Sequence, residues 1–182
     1  AAVLHPRGKL VTAAVTAGRF GSEGITPAAF SHLDFVNLMA YDGGDGADHS
    51  PYTMAESALD FWAQKGLPRD KTVLGVPFYG RPGYRTYREL VAADPQAPTR
   101  DETQGCHYNG ISTIQRKTRL ARERASGVMI WELSQDTADQ TSLLGAIHDA
   151  LTPAPRGLYV SLLSDHVGAV ALDGEAEVFR HI

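Results

Sequence analysis

Strand-length apolar runs alternate with helical patterns along most of this chain, and that alternation limits the possible folds more than any other feature. The runs occupy residues 9–17, 34–42, 72–80 and 127–133. A near-continuous apolar run is typical of a strand buried on both faces, as in a parallel sheet that helices cover. The sequence therefore predicts an α/β fold with a parallel sheet and right-handed crossovers.

Helical patterns separate these runs. The clearest helix is predicted to begin at Thr53, which has capping-box spacing to Glu56, and to stop at Gly66. Its apolar stripe should pack on the sheet, and consists of Ala55, Ala58, Leu59 and Trp62. A shorter helix is predicted after Thr26, a candidate N-cap that is followed by Pro27.

Two more helices are predicted on either side of the fourth apolar run, over residues 110–126 and 141–151. The first is strongly charged, and its basic residues are expected on the solvated outer face; they are Arg116, Lys117, Arg119, Arg122 and Arg124. Its predicted buried line is Ile111, Ile114, Thr118 and Ala121. The predicted buried line of the second helix is Leu143, Leu144, Ile147 and Leu151.

The C-terminal part of the chain has a different pattern. "TPAPRG" has the composition of a linker, and three short apolar segments follow it at residues 158–163, 167–172 and 175–182. Asp173 and Gly174 form a hairpin-turn signal between the last two. We therefore expect residues 1–152 to form the α/β domain, and residues 153–182 to form a linker and a short antiparallel β segment of unknown role.

Composition argues against several classes of function. The net charge is −4, which gives no electrostatic reason to expect nucleic acid, and no run of 18 apolar residues predicts a membrane span. Cys106 is the only cysteine, so it cannot form an internal disulfide. The carboxylates of "DGGDGADH" recur every third residue instead of every second as in an EF-hand loop. We expect neither a metal site nor a cofactor.

Polar and aromatic residues follow the apolar runs at the predicted strand ends. Ligands of parallel α/β proteins bind at the carboxyl ends of the strands, and these ends carry Tyr41 and Asp42, Tyr79 and Arg81, and Trp131 and Glu132. A sugar ring packs its C–H face on an aromatic plane and directs its hydroxyls to charged or polar groups. The pattern favours a carbohydrate ligand, although Tyr41 and Asp42 could also be a strand end that enters a turn.

Side chains alternate along the second predicted strand, "FVNLMAYD". Val36, Leu38 and Ala40 should face the covering helices. The opposite face carries Asn37, Met39 and Tyr41, and it should line a barrel interior or a cleft. By the same alternation Glu132 points away from the face that Trp131 occupies. This orientation favours a role for Glu132 as a structural partner over a role as a surrogate acid.

Three of these segments, "FVNLMAYD", "GVPFYGR" and "GVMIWELSQD", resemble the sixth, seventh and eighth strand segments of family 18 glycoside hydrolases, the chitinase family. "KLVTAAVTA" resembles the fifth, so the resemblance covers about residues 1–151 in the family order. It implies a (β/α)8 barrel of the TIM type, of which only about the last four β/α units are present. It also implies secretion, and chitin or N-acetylglucosamine oligosaccharides as ligands.

The resemblance also implies the role of each site residue. In this family the N-acetyl oxygen of the sugar itself attacks the anomeric carbon, so the reaction is an exception to the two-carboxylate scheme. By resemblance, Tyr41 hydrogen-bonds the acetamido group and Asp42 contacts the reacting sugar. Tyr79 and Arg81 then line the cleft. Trp131 forms the floor under the sugar that is cleaved, and Met39 packs below it.

One departure from the family pattern limits this interpretation. The general acid of the family is a Glu in a D-x-x-D-x-D-x-E motif, and no such motif occurs in these 182 residues. We expect the chain to be the C-terminal half of the barrel and to be inactive alone. A chitinase-like lectin on the same scaffold remains the alternative, and chitin and the N-glycan core both remain possible ligands. An isolated half-barrel should also self-associate through its open edges.

Overall fold

Eight strands and four helices make up the first of two compact units in a computed structural model, which describes residues 1–152, 168–172 and 175–179. The strands of this unit are β1 (Thr12–Thr16), β2 (Phe35–Met39), β3 (Thr72–Pro77), β4 (Tyr79–Gly80), β5 (Arg85–Thr86), β6 (Glu102–Thr103), β7 (Cys106–His107) and β8 (Gly127–Trp131). The helices are α1 (Tyr52–Gln64), α2 (Tyr87–Ala93), α3 (Ile111–Arg124) and α4 (Leu143–Leu151). Short 3-10 helices cover His5–Arg7, Pro27–His32, Arg69–Lys71, Ala97–Thr99 and Leu133–Gln135.

The central sheet has the predicted parallel arrangement. Its four strands lie in the order β1-β2-β3-β8, and each neighbouring pair is parallel. Thr16 pairs with Met39 and Pro77 pairs with Trp131 at the carboxyl ends of the strands. The strand-end residues of β2, β3 and β8 therefore meet at one edge of the sheet.

The side-chain alternation predicted for β2 is confirmed. Val36 and Leu38, with Ala40 just beyond the strand, are at most 1% exposed and pack in one apolar cluster with α1. The predicted stripe of α1 faces this cluster, and its members are Ala55, Ala58, Leu59 and Trp62. Burial of such side chains stabilises the fold by roughly 1.5–3 kcal/mol for each large one.

The helix starts differ from the sequence-based expectation. α1 begins at Tyr52 after Pro51 and has no side-chain cap, so the capping box predicted at Thr53 is wrong. Because the N-cap is Pro51, two residues before Thr53, the side chain of Thr53 lies inside the first turn instead of at the N-cap. The capping box that does form was not predicted; it lies at the start of α2, where Thr86 and Glu89 satisfy each other's backbone N–H groups.

Asp136, the last residue of the "WELSQD" segment, has a structural role. Its Oδ1 accepts a hydrogen bond from the backbone of Leu143 at 2.9 Å, and its Oδ2 accepts one from Leu144 at 2.9 Å. The carboxylate therefore satisfies free N–H groups at the start of α4, where the helix dipole also favours a negative charge. The expected buried line of α4 is partly wrong: Leu144 and Leu151 are exposed, and the small residues Ala146 and Ala150 are buried instead.

Lys117 of α3 contradicts the prediction that the basic run is solvated. Its side chain is 0% exposed, and its Nζ lies 2.7 Å from each of three acceptors: Ser50 O, Ser50 Oγ and Asn109 Oδ1. Three acceptors match the three donors of an ammonium group. Lys117 therefore joins α3 to the loop that follows β2.

The second compact unit, Thr152–Ile182, contains β9 (Gly168–Leu172) and β10 (Glu175–Phe179). The two strands are antiparallel, and Leu172 pairs with Glu175. Antiparallel pairing agrees with the expected hairpin. The predicted turn at Asp173 and Gly174 and the predicted strand at residues 158–163 lie outside the described residues. Among the residues that are described, no helix is both long and apolar enough to cross a bilayer.

The buried position of Lys117 predicts an unusual dependence of stability on pH. Burial lowers the pKa of Lys117 from 10.5 to about 7, although the charge of Asp101 opposes this shift. Between about pH 7 and pH 10.5 the unfolded chain therefore binds a proton that the folded chain has released, so the free energy of unfolding rises with pH. We expect denaturant titrations to show wild type gaining stability relative to Lys117→Met across this window, by at most about 1.4 kcal/mol per pH unit.

The control for this experiment is Arg119→Met, which removes a cation from the exposed side of the same helix. Its stability relative to wild type should not change with pH over the same range. A difference between wild type and Lys117→Met that is equally flat would contradict the prediction.

Candidate functional site

The loop after β2 folds back on itself and places two side chains of the site together. Gly43 donates its backbone N–H to the carbonyl of His49 at 3.0 Å. A Cβ at Gly43 would lie only 2.4 Å from the carbonyl oxygen of Asp48, so this closure requires glycine. Asp42 adopts a positive φ of 59°, a conformation that Asp tolerates better than most residues. The result is that the His49 ring lies beside the Asp42 carboxylate.

The carboxylate of Asp42 has cationic and polar neighbours. Arg81 donates from Nε to Oδ1 at 3.0 Å, and Nδ1 of His49 lies 3.3 Å from the same oxygen. Burial by itself would raise the pKa of Asp42, but hydrogen bonds from Arg81 and Tyr79 and the nearby positive charge hold it below the usual value. Asp42 is therefore ionised at neutral pH, and its side chain is 42% exposed.

Aromatic rings surround this ion pair. Tyr79 and Tyr84 stack at 4.3 Å between ring centroids, and the Arg81 guanidinium lies 5.2 Å from the centre of the Tyr84 ring. Trp131 donates its indole N–H to the hydroxyl of Tyr84 at 3.0 Å. Trp131 is 48% exposed and Tyr84 is 41% exposed. Both rings can therefore offer a face to a ligand.

Tyr41 is held as a neutral hydroxyl. It is only 8% exposed, and burial, followed by the adjacent charge of Asp42, raises its pKa to about 12. The phenol therefore keeps its proton at any ordinary pH and can donate a hydrogen bond. Its ring meets that of Tyr79 edge to face at 6.3 Å.

The structure brings most of the predicted site residues together. Tyr41, Asp42, Tyr79 and Arg81 form one contact cluster, and Trp131 joins it through Tyr84. Tyr79 is only 1% exposed, so it supports Asp42 from behind instead of presenting its ring to the cleft.

Met39 and Glu132 lie at two strand ends beside this cluster. Met39 is half-buried at the carboxyl end of β2. Glu132 follows Trp131, is exposed, and accepts a hydrogen bond from the hydroxyl of Ser134. The structural role expected for Glu132 stays a prediction.

Two residues of the cluster escaped the sequence-based prediction. Tyr84 follows "GRPG", and its position beside Arg81 and two aromatic strand ends is the signal that could have identified it. The second residue is His49, which shows no metal-ligand spacing to the other histidines of the sequence. Its contact with Asp42 depends on the loop closure, which leaves no mark in local periodicity. Within residues 1–152 and the two C-terminal strands, no group of three or more His, Cys, Asp or Glu side chains could hold a metal ion.

Parallel α/β sheets bind ligands at the carboxyl ends of their strands. Exposed aromatic rings beside an acidic and basic pair suit a ligand with both apolar and polar faces, such as a sugar. The family profile described as "Glycosyl hydrolases family 18" matches residues 3–136. The chain therefore belongs to glycosyl hydrolase family 18, and the resemblance given by the strand-end motifs is confirmed.

The proteins similar to this chain are longer than it. Chitinase C of Streptomyces lividans is 29% identical over 201 residues, which include 81% of this chain but 32% of that protein. Among solved structures, chitinase ChiB from the chitin utilization locus of Flavobacterium johnsoniae is 36% identical, with a TM-score of 0.75 over 80% of this chain and 51% of that chain. A chitinase from Bacteroides thetaiotaomicron is 25% identical, with a TM-score of 0.72 over 79% and 52%.

The chain thus spans about a third of the curated relative and about half of the solved structures. The predicted α/β fold of the (β/α)8 type is confirmed, with only part of the barrel present.

The ion pair at the site predicts how Asp42 titrates. Arg81→Gln removes both the charge and the hydrogen bond of the guanidinium, so the carboxyl pKa of Asp42 should rise. Carbon-13 NMR of the Asp42 carboxyl across an acid titration measures this change. Arg85→Gln is the matched control, because Arg85 bonds to Gln104 and not to Asp42. An unchanged Asp42 titration in Arg81→Gln would contradict the prediction.

Proposed function

We propose that residues 1–152 supply the C-terminal half of a (β/α)8 barrel that hydrolyses β-1,4-linked N-acetylglucosamine polymers, the substrate class of chitinases. The observation that carries the proposal is the cluster of Tyr41, Asp42 and Arg81 beside the exposed Trp131, at the carboxyl edge of the sheet of a family 18 chain. An enzyme encounters polymers of N-acetylglucosamine outside the cell, so secretion is part of the same proposal.

The geometry supports a substrate-assisted retaining mechanism. Tyr41 keeps its proton and can donate it in a hydrogen bond to the acetamido oxygen of a bound sugar. That oxygen is the nucleophile in the reaction of this family. Asp42 is ionised beside it and can stabilise the positive charge that develops on the acetamido group. Trp131 offers the aromatic face on which the sugar ring packs.

Protonation of the leaving oxygen requires another part of the barrel. The 182 residues contain no D-x-x-D-x-D-x-E stretch, and none of the residues in the cluster is a protonated carboxylic acid. General acid catalysis typically contributes about 10²–10⁴-fold to a rate. We therefore propose that this chain binds the sugar and orients its acetamido group, while a segment with the general acid completes the enzyme.

Binding and turnover by the chain alone test this division of roles. Trp62 is fully buried and Trp131 is half exposed, so acrylamide-sensitive tryptophan fluorescence reports on Trp131. We expect a tetramer of N-acetylglucosamine to protect this fluorescence from acrylamide quenching, and we expect no turnover of the tetramer. Calorimetry should show about tenfold weaker binding of the tetramer to Trp131→Ala. Leu133→Ala is the matched control, because Leu133 is 56% exposed and lies two residues further along the chain.

Three results separate the proposal from its alternatives. Turnover by the 182-residue chain would contradict the need for a separate general acid. Failure of the tetramer to bind would contradict the assignment of the site. If the coding sequence upstream carries the D-x-x-D-x-D-x-E motif with a residue other than Glu at its last position, the protein is instead the non-catalytic, chitin-binding lectin that the sequence left as the alternative.

We also propose that the chain self-associates when it is produced alone. In the part that the structure describes, β1 pairs only with β2 and β8 pairs only with β3. Asn37, Val73 and Met129 line a groove on the sheet. Open strand edges and an uncovered face of the sheet favour association. Sedimentation at micromolar concentration should show a dimer or larger species, and a stable, monodisperse monomer would contradict this expectation.

A further inference from the structure

His49 is a buried titratable group in contact with the site, and the mechanism above does not use it. Its side chain is 1% exposed. Its Nε2 lies 3.1 Å from the carbonyl oxygen of Tyr79, and its Nδ1 lies 3.3 Å from Oδ1 of Asp42. Despite that short distance, Nδ1 has no well-aligned hydrogen-bond partner within the described part of the chain. A buried nitrogen without such a bond needs an explanation.

The two contacts of the ring determine where its protons lie. A carbonyl oxygen can only accept, so Nε2 must carry a hydrogen and donate it to Tyr79. A neutral ring then has a lone pair on Nδ1, and this nitrogen lies 3.3 Å from a negatively charged carboxylate oxygen. That contact is repulsive as long as no proton lies between the two atoms. A single proton between Nδ1 and Oδ1 converts it into a charge-assisted hydrogen bond.

The charges around His49 oppose one another. Burial lowers the pKa of His49 below its ordinary value, while the bond to Tyr79 and the charge of Asp42 act in the opposite direction. Arg81, on the far side of Asp42, and Lys117, on α3, both disfavour a second cation and lower the pKa further. The ring is therefore neutral at neutral pH and takes up a proton on acidification.

The ring cannot simply move away from Asp42. The backbone N–H of His49 donates to the carbonyl of Gly46 at 2.9 Å. The next residue, Ser50, is held by two hydrogen bonds. Its hydroxyl donates to the carbonyl of Ala40 at 2.9 Å, and its own carbonyl accepts from Lys117 at 2.7 Å. The position of Nδ1 is therefore imposed by the fold and not by attraction to the carboxylate.

We propose that His49 is a positioning residue for Asp42: once it takes up a proton on acidification, its Nδ1 shares that proton with Oδ1 and holds the carboxylate from within the protein. With the proton in place, Oδ1 has two donors, Arg81 and His49; without it, Arg81 alone restrains the carboxylate. The proton comes from solvent and returns to it, and no bond other than N–H or O–H changes. The inference rests on the proposed function only for the statement that Asp42 faces the sugar.

Two substitutions of similar size separate the two contacts of the ring. His49→Gln places an amide nitrogen near the position of Nε2, where it can still donate to Tyr79 but does not reach Asp42. His49→Asn places an amide nitrogen near the position of Nδ1, where it can donate to Asp42 but does not reach Tyr79. We expect the carboxyl pKa of Asp42, from carbon-13 NMR of the full 182-residue chain, to rise in His49→Gln and to stay near the wild-type value in His49→Asn.

A purely structural role gives the opposite pattern. If His49 serves only to bond the Tyr79 carbonyl, His49→Gln should restore the thermal stability of wild type and leave the titration of Asp42 unchanged. That result would overturn the proposal. A change in melting temperature alone does not support it, because loss of either contact can lower stability.

A measurement on wild type keeps the test independent of how well the variants fold. Nitrogen-15 NMR of the imidazole distinguishes a nitrogen that bears a proton from one that does not. We expect Nε2 to be protonated and Nδ1 to be unprotonated at neutral pH, and Nδ1 to gain a proton on acidification in a step that the Asp42 carboxyl also reports. A neutral ring with the proton on Nδ1, or an Asp42 signal that ignores this step, would overturn the proposal.

These experiments need neither ligand nor turnover. If the proton sharing is absent while the N-acetylglucosamine tetramer still binds, only the role of His49 fails. If the proton sharing is present and the tetramer does not bind, the role of His49 in holding Asp42 stands and the proposed function fails.

Discussion

The buried ammonium group of Lys117 joins the parts of the chain on which the site depends. A fully buried Lys costs stability unless its donors find acceptors, and its three acceptors come from the Ser50 backbone, the Ser50 hydroxyl and the Asn109 amide. Ser50 in turn donates to Ala40 at the end of β2. The loop that carries Asp42 and His49 is therefore fixed at its far end to both the sheet and α3.

This arrangement gives the site a layered construction. Tyr79 and His49 are buried at the back, and Asp42 and Arg81 lie in front of them, partly exposed. Tyr84 and Trp131 present aromatic faces beside the ion pair. The back layer sets the charge and position of the carboxylate, and the front layer is free to contact a ligand. The function proposed for this site, to bind a sugar and stabilise a developing charge, needs both properties.

Much of the fold could be predicted because its signals are local. Four strand-length apolar runs separated by helical periodicities lead to a parallel sheet, and the structure has these strands in chain order. The alternation along β2 correctly assigned Val36 and Leu38 to the core. Helix starts were less predictable, because capping depends on where the preceding loop ends. Thr53 has the right chemistry for an N-cap but lies two residues after Pro51, the N-cap of α1.

The sequence by itself determined the α/β class and the family, and it placed Tyr41, Asp42, Tyr79, Arg81 and Trp131 at strand ends. Only the tertiary structure decided that Tyr79 supports the site from behind, that Tyr84 joins the aromatic rings, and that His49 lies against Asp42. It also decided that Lys117 is buried, on acceptors up to 67 positions away in the chain. Periodicity reports which face of an element is apolar, whereas a buried polar contact depends on which distant loop meets that face.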